Sequence, residues 1–202
     1  GGYIKLQNKK ICLTMDAGST PSIKHTKNYQ SGALSFEITS NGNKLVSNCG
    51  YHNIISSKLN QLSKSSATHN TLVIDDSSSS KLIYRDNFWM IKKGLKVSRK
   101  NLIFNKNYWK IHASHDGYLK EYNSIHEREI EFIPDEMKFT GLDKIIKKKN
   151  NNNYKFDIRF HVEPNVKLMK TQDNKTILIE LDEEGWKFTC DNYDINIENG
   201  LY

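Results

Sequence analysis

The sequence predicts an all-β protein, specifically a large antiparallel β-sandwich of the supersandwich type with little or no helix. Apolar residues alternate with polar ones in residues 154–162, which is typical of a half-buried antiparallel strand. Turn pairs that contain glycine occur at Asn41-Gly42, Asp116-Gly117 and Asn199-Gly200, where glycine tolerates the positive φ of a tight hairpin. Short strands between such turns favour a large antiparallel sandwich.

The remaining elements follow from the same period of two. We predict a strand directly after the Asn41-Gly42 turn, and Leu59 and Leu62 indicate one helical turn, with no longer helix anywhere. Serine-rich residues 77–80 and asparagine-rich residues 150–153 are predicted to be loop tips and not linkers. The further predicted strands are, in chain order, residues 33–39, 72–75, 108–114, 125–133, 177–181 and 186–190.

Composition limits the classes of protein that the chain can represent. At 202 residues it fits one sandwich domain with a sizeable core, and a hydrophobic content of 37% is that of a folded protein. The three cysteines, Cys12, Cys49 and Cys190, are too scattered for a disulfide framework or a zinc motif, and nothing selects a pair that could bridge. No apolar run is long enough to span a membrane.

The net charge of +7 favours a polyanionic partner, either an acidic polysaccharide or a nucleic acid. We expect no nucleic acid, because the chain has no helix to enter a groove and no single-strand-binding motif of aromatic and basic residues. The basic residues 147–149 stand beside the asparagine tract, which is typical of a solvated hairpin tip, and a groove-lining role is the alternative.

The stretch that carries most functional information is residues 68–76, where His69 and Asn70 stand at the entrance of an apolar strand. Polar groups at a strand entrance can face a cleft. In the alternative interpretation, the His69 ring packs at the strand end against a backbone carbonyl and Asn70 only closes a turn.

The order of motifs around this stretch resembles the C-terminal β-domain of heparinase II/III-like polysaccharide lyases. Residues 32–38, the Asn41-Gly42 turn and residues 44–50 precede the His-Asn-Thr strand, as in that family. Two later stretches, residues 113–130 and 156–164, are also similar to it. The resemblance runs from residue 16 to residue 202, and it implies one β-sandwich domain over residues 1–202, cut from a longer chain that has an N-terminal α/α toroid.

The resemblance also implies a set of site residues. His69 and Asn70 take the catalytic positions. Several family members hold a zinc ion with a His, an Asp and the His of His-Asn-Thr, but Gln30 and Asn48 stand at the first two positions here, and both are poor zinc ligands. We therefore predict no metal, and we expect Gln30, Asn48 and His69 to hydrogen-bond to one another. The nearby residues that could in principle substitute as ligands, at a spacing that matches no known motif, are His25, Cys49 and His52.

Substrate-binding roles are predicted for Gln30, Asn48, His126 and Arg128. His126 and Arg128 are two residues apart on one strand and therefore share a sheet face. Arg128 could hold a sugar carboxylate or sulfate through paired hydrogen bonds, or it could pair with a neighbouring glutamate, Glu127 or Glu129. The stretch that contains Arg159 and His161 is predicted to be structural, and these two side chains could also support a contact with a neighbouring domain.

The resemblance implies a parent enzyme, a carbon-oxygen lyase, that cleaves an acidic, uronate-containing polysaccharide by β-elimination. A base removes the proton α to the uronate carboxylate, whose charge must first be neutralised. In the family the toroid supplies the principal tyrosine, so we expect little or no activity from this domain alone. The alternative is a non-catalytic carbohydrate-binding or scaffolding β-domain. The resemblance places the parent in the bacterial cell envelope or periplasm, and the sequence does not identify the glycan.

Overall fold

The computed structural model describes residues 2–50, 57–148 and 153–200. Strands account for 47% of the structure and helix for about 10%, which confirms the all-β prediction. The two helices in the described ranges are α1 (Ser57–Ser63) and α2 (Leu119–Tyr122). The strands are β1 (Tyr3–Gln7), β2 (Ile11–Asp16), β3 (Phe36–Ser40), β4 (Asn43–Val46), β5 (Leu72–Ile74), β6 (Lys81–Arg85), β7 (Phe88–Lys93), β8 (Val97–Phe104), β9 (Trp109–His115), β10 (Ser124–Ile133), β11 (Lys138–Lys147), β12 (Phe156–Ile158), β13 (Lys167–Lys170), β14 (Thr176–Leu181) and β15 (Glu184–Thr189).

Two four-stranded antiparallel sheets form the body of the fold. One has the order β1-β2-β3-β4 and the other has the order β11-β10-β9-β8. Strands β13, β14 and β15 form a third sheet, and the pairs β5-β12 and β6-β7 complete the described pairing. Strands that are adjacent in sequence lie side by side within the larger sheets, as expected for antiparallel strands joined by short turns.

The main core lies between the inner faces of the two four-stranded sheets. Alternation places Leu13 and Met15 of β2 inside, and Ile130 and Phe132 of β10 meet them from the other sheet. Trp109 on β9 is 1% exposed and packs edge-to-face on Phe132, with the ring centroids 4.9 Å apart. This packing leaves the odd-numbered residues of β10 on the outer face of its sheet.

The predicted turns agree with the structure in part. Asn41 and Gly42 have φ values of +46° and +87° in the β3-β4 hairpin, as predicted. After Asp116 and Gly117 the chain forms the short helix α2 before β10, so this corner is not a simple hairpin. The serines at 79 and 80 are buried, which contradicts an exposed tip. Residues 149–152 of the predicted basic and asparagine-rich tip lie outside the described residues.

The strand predicted over residues 154–162 is the largest correction to the fold. Only Phe156–Ile158 pairs, with β5 as its partner. Beyond it the chain leaves the ladder, because the backbone N–H of His161 donates to Oδ1 of Asn70 at 2.5 Å and its carbonyl accepts from Ser47 at 3.0 Å. The strands that the period-two analysis did not identify are β1, β2, β6, β7, β8, β11 and β13. Neither helix in the described ranges has the length or the apolar run that a membrane crossing needs.

Candidate functional site

A polar cleft of about 220 Å³ lies over the outer face of the β1-β4 sheet. Tyr3 pairs with Asp16, and Thr14 pairs with Glu37, so these four side chains project together on the face opposite Leu13 and Met15. The segment before β3, the segment after β4 and the segment before β5 close the cleft. The described residues that line it are Tyr3, Thr14, Asp16, Asn28, Tyr29, Gln30, Gly32, Ser35, Glu37, Asn48, Gly50 and His69.

His69 lies at the inner end of this cleft, directly after a 3-10 turn at Ser66–Thr68. The residue is only 3% exposed, and Nδ1 lies 2.8 Å from the carbonyl oxygen of Ser65. Gly32 passes close over the ring, because a Cβ at that position would lie 2.6 Å from Cδ2 of His69. Burial lowers the pKa of His69 to about 4, so the ring is neutral at pH 7.

The hydrogen bonds fix the tautomer of His69. A carbonyl oxygen can only accept, so Nδ1 carries the proton and Nε2 presents a lone pair. Nε2 lies 3.3 Å from Oε1 of Gln30. The amide nitrogen of Gln30 donates to the carbonyls of Gly50 and Ser63 at 3.0 and 3.2 Å, which holds Oε1 towards the ring. Two acceptor atoms therefore face each other at the cleft.

Asn48 belongs to a different set of contacts. Its Oδ1 accepts the backbone N–H of Asn70 at 2.8 Å, and its Nδ2 donates to Oε1 of Glu37 at 3.2 Å. The mutual hydrogen bonds that we predicted among Gln30, Asn48 and His69 are not formed. Gln30 and His69 lie side by side with two acceptor atoms facing, and Asn48 bonds to Glu37 and Asn70. Asn48 links the cleft lining to the start of the His-Asn-Thr strand.

The residues at the family's zinc position do not fit a zinc ion. Gln30 and Asn48 supply neutral amides, and both polar atoms of the Asn48 amide are already hydrogen-bonded. In the described ranges, no group of three His, Cys, Asp or Glu side chains could hold a metal. Of the possible substitutes, Cys49 contacts Nδ1 of His161 at 3.3 Å, and His52 lies outside the described residues.

Asn70 lies in the interior, with 0% exposure. Its Nδ2 donates to the carbonyl of Phe36 at 2.9 Å, and its Oδ1 accepts the backbone N–H of His161 at 2.5 Å. The side chain therefore holds three chain segments together and presents no atom to a ligand. This geometry assigns Asn70 a positioning role in place of the predicted catalytic one. It also gives His161 a structural place in this network, as predicted for its stretch, while nothing in the chain tests the further contact with a neighbouring domain.

Arg128 is 1% exposed and spans the interior of the sandwich. Its Nε and Nη2 donate to the two oxygens of Asp143 at 2.8 and 2.9 Å, and its Nη1 donates to the carbonyls of Leu34 and Asn70 at 2.8 and 2.5 Å. The alternative pairing with Glu127 or Glu129 is wrong, because neighbouring residues on a strand point to opposite faces. The buried guanidinium cannot reach a substrate, so we assign Arg128 a positioning role.

His126 continues the same buried network. The Gly117 N–H donates to Nδ1 of His115 at 3.1 Å, so Nε2 of His115 carries a proton and donates to Nδ1 of His126 at 3.1 Å. Nε2 of His126 then donates to Asp143 at 2.6 Å. Burial lowers the pKa of both histidines, which keeps them neutral. Like Arg128, His126 has no face towards the cleft and does not fit the predicted substrate contact.

Burial alone would raise the pKa of Asp143. The charge of Arg128 and the hydrogen bond from His126 outweigh that effect and hold the pKa of this carboxyl well below its usual range. The cluster around Arg128 thus contains one carboxylate, one guanidinium and two neutral imidazoles. This cluster is neutral as a whole, and its hydrogen bonds to Leu34 and Asn70 fix the segments on either side of the cleft.

Two carboxyl side chains of the cleft, Asp16 and Glu37, were not among the residues predicted for the site. Asp16 is 8% exposed, and burial raises its pKa to about 6 although the Gly18 N–H donates to it at 3.0 Å. Glu37 accepts both the backbone and the side-chain N–H of Asn48. An available signal was the alternation of residues 11–16, which ends on a carboxylate on the same face as Thr14.

Asp16 is expected to reduce stability at neutral pH. The pKa of Asp16 is higher in the folded state than in the unfolded chain. Its contribution to the stability of the fold is therefore fully present below pH 3.8 and is lost as the pH rises through about 6. Asp16→Asn should therefore raise the free energy of unfolding by about 2–3 kcal/mol more at pH 7 than at pH 4. Urea denaturation at both values measures this difference. Asp135→Asn, at an exposed position, is the control, and an equal gain at both pH values would contradict the prediction.

The packed antiparallel sheets and the polar cleft define the chain as a β-sandwich domain with a polar cleft on the outer face of one sheet. The family model described as "Heparinase II/III-like, C-terminal" matches residues 1–202, and the chain belongs to this family. This confirms the resemblance inferred from the motifs. No curated protein sequence matches the chain.

Solved structures show the same fold. A heparinase III gene product superposes with a TM-score of 0.66 at 16% identity, over 88% of this chain and 25% of that chain. The heparan sulfate lyase HepC from Pedobacter heparinus gives a TM-score of 0.60 at 16% identity, over 88% of this chain and 27% of that chain. The chain therefore spans about a quarter of the length of these proteins.

Proposed function

We propose that this chain is the C-terminal β-domain of a polysaccharide lyase that cleaves an acidic, uronate-containing polysaccharide by β-elimination. In this proposal residues 1–202 form one domain, and an N-terminal α/α toroid in the parent protein provides the opposite wall of the substrate site. The observation that carries the proposal is the cleft that contains His69, in a chain that belongs to the heparinase II/III-like C-terminal family. The parent protein acts in the bacterial cell envelope or periplasm.

The acid-base properties of the cleft support a mechanism in which this domain contacts the substrate and the toroid provides the catalytic base. β-Elimination needs a base for the α-proton and an acid for the leaving oxygen. His69 is neutral but is a weak base, because its pKa is about 4. Burial raises the pKa of Tyr29 to about 12 and also raises that of Tyr3, so both phenols keep their protons. We therefore assign His69 to substrate contact and the principal base to the toroid.

The domain alone should show no lyase activity. We expect no new ultraviolet absorbance from an unsaturated uronate product when the 202-residue chain is incubated with heparin, heparan sulfate or alginate. The parent protein with its toroid should produce that absorbance from at least one acidic polysaccharide. Product formation by the 202-residue chain would contradict the assignment of the catalytic base to the toroid, and an inactive parent would contradict the lyase proposal.

A second function, a non-catalytic carbohydrate-binding or scaffolding domain, is favoured by one specific observation. Gln30 and Asn48 occupy the positions where the family resemblance implies a zinc-binding His and Asp, and their amides form hydrogen bonds within the protein. Under this alternative, the parent protein binds glycans and cleaves none of them. The same assay of the parent protein, combined with a glycan-binding measurement, separates the two functions.

A further inference from the structure

The pair formed by His69 and Gln30 is one hydrogen-bond donor short. Nε2 of His69 has no proton, since Nδ1 donates to the carbonyl of Ser65. Oε1 of Gln30, 3.3 Å away, is also an acceptor. Reversing the Gln30 amide would not help, because its oxygen would then face the carbonyls of Gly50 and Ser63. Acceptors without a donor are costly at this half-buried position, and no described residue donates to either atom, so water or a ligand group supplies the donor.

The charges that surround this pair indicate what kind of donor fits. Asp16 and Glu37 both line the cleft, and among the described lining residues there is no lysine or arginine. A ligand group at this point therefore meets two carboxyl groups and, among the lining residues that the structure describes, no lysine or arginine. A sugar carboxylate or sulfate would be repelled there, although the chain carries a net charge of +7. A cationic donor would be attracted.

We propose that the cleft binds the free ammonium group of an unsubstituted amino sugar, which donates to both Nε2 of His69 and Oε1 of Gln30 while Asp16 and Glu37 balance its charge. This inference rests on the proposed function, because it takes a glycan as the ligand. An ammonium group has three N–H donors and can serve both acceptors at once, whereas a hydroxyl has one. An N-acetylated amine has one N–H and no charge, so it fits less well. The acidic groups of the polysaccharide then lie outside this subsite.

The test is a binding measurement on the 202-residue chain at pH 6.5. The ligands are a glucosamine tetramer, an N-acetylglucosamine tetramer and a uronate tetramer, titrated by calorimetry. We expect the glucosamine tetramer to bind at least about tenfold more tightly than either of the other two. In the ¹⁵N spectrum of histidine-labelled protein, Nε2 of His69 should shift on binding, because it gains a hydrogen bond.

Two variants with matched controls locate the subsite. Asp16→Asn keeps the shape of the side chain and is expected to be stable, and Gln30→Leu removes one of the two acceptors. Each should reduce the preference for the glucosamine tetramer to less than about threefold. Asp135→Asn and Gln7→Leu, made at exposed positions outside the cleft, should leave the preference unchanged.

Equal binding of the two amino-sugar tetramers would overturn the inference and leave the lyase proposal standing. The inference would also be overturned if the uronate tetramer bound more tightly, or if no tetramer bound. The same holds if both cleft variants kept the preference for the glucosamine tetramer. A divalent cation that binds stoichiometrically and shifts Nε2 of His69 in place of the amine would overturn it as well. Failure of the lyase proposal is detected separately, in the activity assay of the parent protein.

Discussion

Arg128→Met is expected to lower the free energy of unfolding by about 3–5 kcal/mol, because it leaves the carboxylate of Asp143 buried without its charged partner. The same substitution removes the donor to the carbonyls of Leu34 and Asn70, which are also buried. Since domains of this size are stable by only about 5–15 kcal/mol, the loss is a large part of the total. Urea denaturation followed by tryptophan fluorescence measures it.

A surface cation provides the control for this prediction. Lys110 lies on the outer face, 2.8 Å from Glu129, and Lys110→Met should cost much less than Arg128→Met, because water and salt screen the surface pair. The double variant Arg128→Met with Asp143→Leu should recover part of the loss, because it removes the unpaired charge. A cost for Arg128→Met no greater than that for Lys110→Met would show that the buried ion pair does not hold the sandwich together.

Asn70→Ala should cost about 2–6 kcal/mol, because two backbone groups lose their partners at once. The N–H of His161 and the carbonyl of Phe36 each carry a penalty of about 1–3 kcal/mol when they are left unsatisfied. The substitution should also loosen the chain after β12, since this bond is one of those that hold His161. Urea denaturation gives the energy, and amide hydrogen exchange at residues 159–163 gives the local effect.

Asn43→Ala is the matched control, because the Asn43 amide donates to Asp182 at 3.2 Å on the exposed side of the molecule. There we expect a change within about 0.5 kcal/mol. If Asn70→Ala were equally mild, or if exchange at residues 159–163 did not change, then the amide of Asn70 would not position these segments. A direct contact between Asn70 and a ligand would then have to be considered again.

The sequence was sufficient to predict strands such as β10, whose alternation is strict. In β10, Ile130 and Phe132 point inward while Glu129 and Glu131 point outward, and this pattern is visible without coordinates. The alternation in residues 154–162 was equally clear, but hydrogen bonds to Asn70 and Ser47 ended the strand there. Those contacts join residues about 90 to 115 positions apart, so no local pattern contains them.

The sequence predicted where the candidate site lies better than it predicted which residues line it. The motif around His69 pointed to the cleft, and Gln30 was placed beside it by resemblance to the family. Asp16 could not be selected in the same way, because its role depends on the register that sets Tyr3 opposite it. The buried ion pair of Arg128 could not be predicted either, since its partner Asp143 lies on the next strand, fifteen residues away.

The separation of charge between the cleft and the rest of the chain has a kinetic consequence. An excess of positive charge draws a polyanion towards the molecule over roughly a Debye length, about 8 Å at physiological ionic strength, and accelerates encounter. At contact, the carboxylates of Asp16 and Glu37 reject anionic groups from the cleft. The encounter with a polyanion and the binding of a group in the cleft are thus governed by electrostatic potentials of opposite sign. Added salt should therefore slow the encounter but leave the preference of the cleft for non-anionic groups in place.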